Sequence, residues 1–121
     1  MTKKSLSINI IGLKIFLRVG VYEWEKKRPR LLRLSINAQL AHAISGESDA
    51  VDDTLDYDVV ARIIQEYSAT ADHDLLESFA EVISKKLLDY FEIISALTLT
   101  NEKPGALKTA ENGAIIYSVE R

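Results

Sequence analysis

The first segment of the chain alternates apolar and polar residues in the two-residue period of a β-strand. Apolar residues occupy the even numbers from Leu6 to Ile10 and mainly the odd numbers from Ile11 to Val19. One extra residue in a strand turns every later side chain to the opposite face of the sheet. The change of phase therefore predicts a β-bulge beside Gly12.

A second alternating segment, residues 31–41, places aliphatic side chains on one face and polar side chains on the other. Between the two predicted strands lie the eleven residues from Gly20 to Arg30, with Pro29 near their end. This connection is too long for a tight hairpin turn, and loops of such length in compact domains are often functional. We therefore expect the loop to contribute to a site.

The middle of the chain contains two segments with the period of an amphipathic helix. Residues 57–69 repeat apolar side chains at helical spacing and predict a first helix. The sequence from Asp74 to Glu77 has the form of a capping box and predicts the start of a second helix. The buried positions predicted for the second helix are Leu76, Phe79, Ala80, Ile83, Leu87 and Tyr90 or Phe91.

Alternation returns near the end of the chain. Residues 94–101 predict a third strand, the residues from Lys103 to Ala106 break it, and residues 114–119 predict a fourth. The order ββααββ predicts one α+β domain over residues 1–121, with a four-stranded antiparallel sheet and both helices on one face. Such a sheet has two unpaired edges, so we expect copies of the chain to associate.

Composition excludes several kinds of site. The chain has no cysteine, which excludes a disulfide scaffold and a thiolate metal site. Its two histidines, His42 and His73, are expected at the surface. The net charge of −3 is unlike that of a nucleic-acid-binding domain, which is usually basic. Residues 1–33 carry +7 and the remainder −10, an asymmetry that suits head-to-tail association as well as two solvated faces.

Hydropathy gives no sign of a membrane segment. The apolar runs are only a few residues long, which is too short to span a bilayer. Residues 1–5 and the alternating segment that follows them lack the continuous apolar stretch of a signal peptide. We therefore expect a cytoplasmic protein that binds neither membrane nor nucleic acid.

Four segments carry polar residues at places where a fold of this class has little need of them. They are Gly20–Glu25 with the sequence GVYEWE, Thr54–Tyr57, Leu75–Ser78, and Asn101–Ala106 with the sequence NEKPGA. In this order on a ββααββ chain, they resemble the dihydroneopterin aldolase family of the folate pathway, over about residues 8–121. The segments GVYEWE and KPGA are the more specific part of the resemblance.

The resemblance implies the tunnelling fold, in which four subunits close their sheets into a barrel and two such rings stack into an octamer. It also implies a lyase that cleaves 7,8-dihydroneopterin by a retro-aldol reaction into 6-hydroxymethyl-7,8-dihydropterin and glycolaldehyde. Epimerisation of the substrate side chain is a further activity of many members. The dihydropterin ring accepts the electrons that the cleavage releases, so neither a cofactor nor a metal is expected.

The site residues follow from the same resemblance, in pockets between subunits. Glu77 and the backbone of Leu76 would anchor the pterin ring. Tyr57 and the backbone of Leu55 would come from the neighbouring subunit, with the ring of Tyr57 stacked on the pterin. Glu25 and Lys103 would stand at the hydroxyl groups of the substrate side chain. Lys103 would be the main proton-transfer residue, with Tyr57 and Glu25 as the other catalytic residues.

Several alternatives stay open from the sequence. Dihydroneopterin triphosphate 2'-epimerase shares the fold and the lysine, and a non-catalytic pterin- or purine-binding protein of this fold would keep the anchoring glutamate. Glu77 could instead serve only the capping box of its helix. Lysine is a poor base at pH 7 unless burial or a nearby cation lowers its pKa, so Lys103 acts either directly or through water. Residues 30–35 lack the glutamine and the acidic residue that the family often has there, which bears on assembly more than on the reaction.

Overall fold

The computed structural model describes residues 2–42 and 49–121, which fold into one sheet and two α-helices. The strands are β1 (Ser7–Val19), β2 (Arg30–Leu40), β3 (Asp72–His73), β4 (Ile94–Pro104) and β5 (Asn112–Glu120), and the helices are α1 (Tyr57–Thr70) and α2 (Leu76–Tyr90). Two short 3₁₀ helices, Glu23–Lys27 and Val51–Asp53, lie in the connections that precede β2 and α1.

The five strands follow one another across the sheet in the order β3-β1-β2-β4-β5. The four long strands pair antiparallel and confirm the predicted order ββααββ. Strand β3 corrects the prediction of a purely antiparallel, four-stranded sheet, because it runs parallel to the end of β1, with His73 opposite Val19. Two residues are too few to show a hydrophobic period, so the sequence pattern gave no sign of this strand.

The bulge predicted in β1 is confirmed. The pairing of β1 with β2 shifts between Ile10 and Leu13. Gly12 has φ of +68°, a left-handed conformation that glycine adopts without the steric penalty of a Cβ. Its N–H donates a hydrogen bond to Ser35 Oγ of β2 at 3.0 Å. The shift turns the later aliphatic residues of β1 towards the helices.

The core lies between the two helices and the face of the sheet that they cover. The predicted apolar face of β2 is buried there together with residues of β1 and β4. On α2, Phe79, Ala80, Ile83 and Leu87 are fully buried, as predicted. Leu76 and Phe91 pack partly buried against the core, whereas Tyr90 is 62% exposed, so Phe91 is the one of the two alternatives that the core takes.

Helix α2 begins where predicted but without the predicted capping box. Its N-cap is Leu75, and no side chain of the described residues caps it. The Asp74 carboxylate accepts a hydrogen bond from the Lys26 ammonium instead. Lys26 also lies 3.4 Å from Asp72, so these contacts join the Gly20–Arg30 loop to the start of α2. No helix within the described ranges is long and apolar enough to cross a bilayer.

Candidate active site

One end of the sheet brings together the end of β1, the end of β4 and the start of α2. The N–H of Gly20 donates to the carbonyl of His73 at 3.1 Å and extends the pairing of β1 with β3 by one residue. The loop that follows Gly20 returns to this end of the sheet, where β2 begins. Of the four polar segments, Gly20–Glu25 and Leu75–Ser78 lie beside β1 and β3, and Asn101–Ala106 lies at the end of β4. The side chains of these three segments therefore lie at the same end of the sheet.

Glu25 and Lys103 meet at this end, although they are 78 residues apart in sequence. The Nζ atom of Lys103 lies 3.3 Å from Glu25 Oε2, and the side chains are 18% and 13% exposed, respectively. The prediction that the strand is broken at Lys103 was wrong, because β4 continues to Pro104 and Lys103 pairs with Gly113 of β5. The extended strand fixes the backbone from which the lysine reaches the glutamate.

The carboxylate of Glu25 is held by more than the lysine. The N–H of Tyr22 donates to Glu25 Oε1 at 3.3 Å, so each carboxylate oxygen has its own donor. The hydrogen bond from Tyr22, followed by the ammonium of Lys103 and the charge of Arg30, lowers the pKa of Glu25 below 4.5 despite its desolvation. Glu25 is therefore ionised at neutral pH.

Gly20 makes room for this glutamate. A Cβ on Gly20 would lie 2.3 Å from the Cβ of Glu25 and 2.7 Å from its Cδ, closer than real Cβ atoms approach other atoms. The absence of a side chain at position 20 thus allows Glu25 to fold back over the end of β1. In the sequence, Gly20 was only the first residue of a motif, and the reason for a glycine at that position becomes visible in three dimensions.

Glu77 and Leu76 lie in the first turn of α2, at the same end of the sheet. Glu77 is exposed, and it forms no hydrogen bond or ion pair with any other described residue. Leu76 is half-buried against the core. The first N–H groups of a helix have no partner within the helix, so this turn offers backbone donors beside a carboxylate. The turn can therefore bind a ligand that has both donors and acceptors.

Tyr57 and Leu55 lie elsewhere. Tyr57 is the first residue of α1 and is 57% exposed, whereas the side chain of Leu55 is buried. Helix α1 has 14 residues and ends next to β3, so it spans about 21 Å at 1.5 Å per residue. One chain therefore brings Glu25, Lys103 and Glu77 to one end of the sheet and leaves Tyr57 and Leu55 at the other.

Two polar groups near this end were given no part in the site by the sequence analysis, although Asn101 begins one of its four segments. Asn101 is fully buried two residues before Lys103, and its amide has no hydrogen-bond partner among the described residues. A polar residue continuing the apolar alternation of Leu97 and Leu99 was the signal that could have identified it. The expectation of a surface histidine holds for His42 but is wrong for His73, which is half-buried with hydrogen bonds on both ring nitrogens.

The arrangement can bind a polar ring and move protons. Glu77 offers an exposed carboxylate to N–H groups of a ligand, and the Glu25–Lys103 pair offers an acceptor and a donor side by side, 3.3 Å apart. Within residues 2–42 and 49–121, no group of three or more His, Asp or Glu side chains is placed to hold a metal ion.

Comparison with known proteins gives a family match over most of the chain. The family model of dihydroneopterin aldolase (FolB) matches residues 8–118. Dihydroneopterin aldolase 1 of Arabidopsis thaliana is 30% identical over 93 residues, which are 77% of this chain and 64% of that protein. The chain thus matches slightly less than two thirds of the length of that relative.

Solved structures share the fold. A FolB protein of Vibrio cholerae has a TM-score of 0.90 and 27% identity, covering 98% of this chain and all of that one. Dihydroneopterin aldolase of Escherichia coli, solved in complex with neopterin, has a TM-score of 0.87 and 27% identity, covering 93% and 97%. These similarities confirm the predicted tunnelling-type fold, with the short strand β3 in addition. Because the family model spans nearly all of the sequence, the chain belongs to the dihydroneopterin aldolase family.

Proposed function

We propose that this chain cleaves 7,8-dihydroneopterin by a retro-aldol reaction into 6-hydroxymethyl-7,8-dihydropterin and glycolaldehyde. The observation that carries the proposal is the contact of Glu25 with Lys103 at the end of the sheet where Glu77 is free. A pterin-binding protein without catalysis would need the glutamate in α2 but not this pair. The relatives that match are named as aldolases, which favours the aldolase over the triphosphate epimerase.

The test is direct. The purified chain is incubated with 7,8-dihydroneopterin, and glycolaldehyde is measured by its reaction with an aldehyde reagent. We expect stoichiometric release of glycolaldehyde together with the hydroxymethyl product. Release of neither product, from a sample with the circular dichroism of an α+β protein, would overturn the proposal. Conversion to the epimeric side chain without cleavage would favour an epimerase.

Binding of the ring is assigned to the first turn of α2. The Glu77 carboxylate accepts hydrogen bonds from the amino group and a ring N–H of the pterin, a two-point contact that fixes the plane of the ring. The backbone of Leu76 supplies a further contact, since groups in the first turn of a helix have no intrahelical partner. The positive end of the helix dipole favours the carboxylate at this position. These contacts do not change during cleavage, so they serve binding.

Proton transfer is assigned to Lys103 and Glu25. In the cleavage step the side-chain hydroxyl loses its proton, the adjacent C–C bond breaks, and its electron pair moves into the C=N bond of the ring. The carbon left on the ring then takes up a proton, which completes the hydroxymethyl product. Lys103 has an anionic neighbour, Glu25, at 3.3 Å. Through water, the Glu25 carboxylate takes the hydroxyl proton and the Lys103 ammonium gives a proton to the carbon, after which proton transfer from Glu25 to Lys103 restores both groups.

The remaining site residues are assigned to a second subunit. In its own chain Tyr57 lies at the far end of α1, about 21 Å along the helix from the end near β3. Strand β5 is an edge of the sheet, and its outer side has no partner strand among the described residues. Edges of this kind are usually paired. A tetramer or octamer with sites between subunits would bring Tyr57 and the backbone of Leu55 to the Lys103 of a neighbour.

Mixing two inactive variants tests the shared site. We expect Tyr57→Ala and Lys103→Ala each to be nearly inactive alone, because each lacks a residue of every site. If the two residues come from different subunits, random reassembly of an equal mixture restores intact pairs at about a quarter of the sites. The measurement is turnover after the variants are unfolded and refolded together. Two variants refolded separately and then combined on ice are the control.

The outcome can contradict the shared site in two ways. No recovery from mixtures that light scattering shows to be co-assembled would place both residues in one subunit. A monodisperse and fully active monomer of 13.6 kDa would remove the neighbouring subunit from the mechanism altogether.

Gly20→Ala tests whether the position of Glu25 matters to turnover. A Cβ at position 20 would displace the glutamate from Lys103, so we expect kcat to fall about tenfold, since misplacement of a catalytic group by 1 Å can cost up to about 10²-fold. Gly12→Ala is the matched control, because Gly12 also has a positive φ, which strains an alanine, but has open space around it. We expect Gly12→Ala to lower stability in urea while kcat stays unchanged. Equal kcat values for the two variants would contradict the role of Gly20.

A further inference from the structure

Three side chains, linked in series by hydrogen bonds, connect α1, β3 and α2 beside the candidate site. The hydroxyl of Tyr67 lies 2.6 Å from Nε2 of His73, and Nδ1 of His73 lies 3.2 Å from Oγ of Ser78. The Ser78 hydroxyl in turn donates to the carbonyl of Leu75 at 2.9 Å. This series of hydrogen bonds therefore ends at the carbonyl of the residue that precedes α2.

With a neutral imidazole, only one arrangement of protons satisfies every link. The single proton of the Ser78 hydroxyl is used on the Leu75 carbonyl, so Ser78 Oγ accepts from His73. His73 then carries its proton on Nδ1, and its bare Nε2 accepts from the hydroxyl of Tyr67. A neutral imidazole in the Nδ1–H form links the three residues in one direction.

The surroundings favour this neutral form. Burial lowers the pKa of His73 below 6.5, although the carboxylates of Asp72 and Asp74 act in the opposite direction. Lys26 contacts both carboxylates and also acts to lower the pKa of His73. Burial raises the pKa of Tyr67, so its hydroxyl keeps its proton. The ring of Phe79 meets His73 edge-on at 5.7 Å, and Lys86 of α2 lies over the ring of Tyr67 at 5.0 Å.

His73 contacts both the loop that carries Glu25 and the start of α2, which carries Glu77. Its carbonyl accepts the N–H of Gly20, the residue against which Glu25 packs. Its imidazole reaches Ser78 and through it the Leu75 carbonyl, directly before Leu76 and Glu77. Because the Glu77 side chain has no partner among the described residues, its position depends on the backbone of this turn.

We propose that His73 is a positioning residue for pterin binding, which acts by fixing the first turn of α2 through Ser78 and the Leu75 carbonyl. This inference rests on the proposed function, since it assigns the pterin to Glu77 and Leu76. The residue touches no substrate and moves no proton of the reaction. Its loss therefore weakens binding of the ring and leaves the rate of the bound complex nearly unchanged.

The test is the dissociation constant of neopterin together with the kcat for 7,8-dihydroneopterin. We expect His73→Phe, which keeps a buried ring but no ring nitrogen, to raise the dissociation constant about tenfold while kcat stays within about twofold. Ser78→Ala removes the hydrogen bond between Ser78 and His73 but keeps the imidazole. It should therefore also raise the dissociation constant of neopterin. Ser84→Ala is the matched control, because Ser84 is a buried serine of α2 whose hydroxyl has no described partner. We expect it to bind like wild type.

The pH dependence provides a readout that a general packing role would not give. A second proton, on Nε2, places a positive charge on the half-buried ring and forces the hydrogen bond with the Tyr67 hydroxyl to reverse, which disfavours the arrangement that holds Ser78 and the first turn of α2. Neopterin binding by wild type should therefore weaken as the pH falls below 6.5 and through the pKa of His73. Wild type and His73→Phe differ in no other titratable group, so the difference between their binding curves reports His73. That difference should be smaller at pH 5 than at pH 7.5.

The same group has an effect on stability with a defined sign. Because the pKa of His73 is lower in the folded chain, the unfolded chain binds more protons below pH 6.5, and the free energy of unfolding falls as the pH falls. His73→Phe should lack this part of the acid destabilisation in urea titrations.

The outcomes separate this inference from the proposed function. If wild type neither binds neopterin nor turns over, the proposed function fails and the inference fails with it. If wild type does both and His73→Phe binds neopterin equally well at pH 7.5, only the role of His73 is overturned. If His73→Phe does not fold, Ser78→Ala decides: wild-type binding by Ser78→Ala would overturn the inference, and weaker binding at unchanged kcat would support it.

Discussion

Replacing Lys103 with methionine is expected to lower kcat by about 10²–10⁴-fold, the range that proton-transfer groups contribute. Methionine keeps the unbranched apolar stem of the side chain but lacks the ammonium, so it cannot donate or accept the proton. The pterin ring is held elsewhere, by Glu77, so we expect the dissociation constant of neopterin to change by no more than a few-fold. Steady-state turnover of dihydroneopterin and fluorescence titration with neopterin measure the two quantities.

Lys85→Met is the matched control for this variant. Lys85 is an exposed lysine of α2 that pairs with Asp89 one turn further along, at 2.9 Å. An exposed pair of this kind contributes little to stability, and Lys85 lies outside the candidate site. Wild-type turnover by Lys103→Met would overturn the assignment of Lys103 even though the family is established. A loss of binding as large as the loss of kcat would make Lys103 a binding residue instead.

Replacing Glu77 with alanine is expected to weaken neopterin binding by about 10²-fold, because hydrogen bonds to a charged group contribute about 1.5–3 kcal/mol each. The structure also predicts what does not change. Glu77 takes part in no capping box and is exposed, so its loss should alter the free energy of unfolding by only about 0.5 kcal/mol. Binding and urea unfolding are measured on the same samples.

Glu81→Ala, one turn further along α2 and also exposed, controls for the loss of a negative charge on the helix. We expect it to bind neopterin like wild type. A Glu77→Ala variant that binds normally but unfolds at lower urea would restore the capping role and overturn the assignment of Glu77 as the anchor. Weaker binding at wild-type stability would support that assignment.

The sequence was sufficient to predict the helices and the long strands that form the two layers of the fold. The change of phase at Gly12 predicted the bulge, and the periods of the later segments predicted both helices and the antiparallel order of the long strands. Such patterns are readable because the alternation records, residue by residue, which face of an element is buried. A strand of two residues such as β3 has no period to read, so only pairing with β1 defines it.

The sequence also located the candidate residues, but through a resemblance rather than a pattern. It placed Glu25, Glu77 and Lys103 in three separate segments without showing that they share one end of the sheet. It gave Asp74 to a capping box, whereas Lys26 from the distant loop takes that carboxylate. The Asp74 carboxylate binds the ammonium of Lys26 because a charged donor within reach forms a stronger hydrogen bond than a backbone N–H.

Only the tertiary structure decided which polar groups meet. The contact of Glu25 with Lys103 spans 78 residues, the space at Gly20 exists only because the loop folds back over β1, and the neutral His73 depends on burial between Tyr67 and Ser78. The hydrophobic effect that buries apolar residues is non-directional, so the local period of the sequence is enough to predict which of them are buried. Hydrogen bonds require particular atoms within about 3 Å of one another, and that proximity is set by how distant segments of the chain come together.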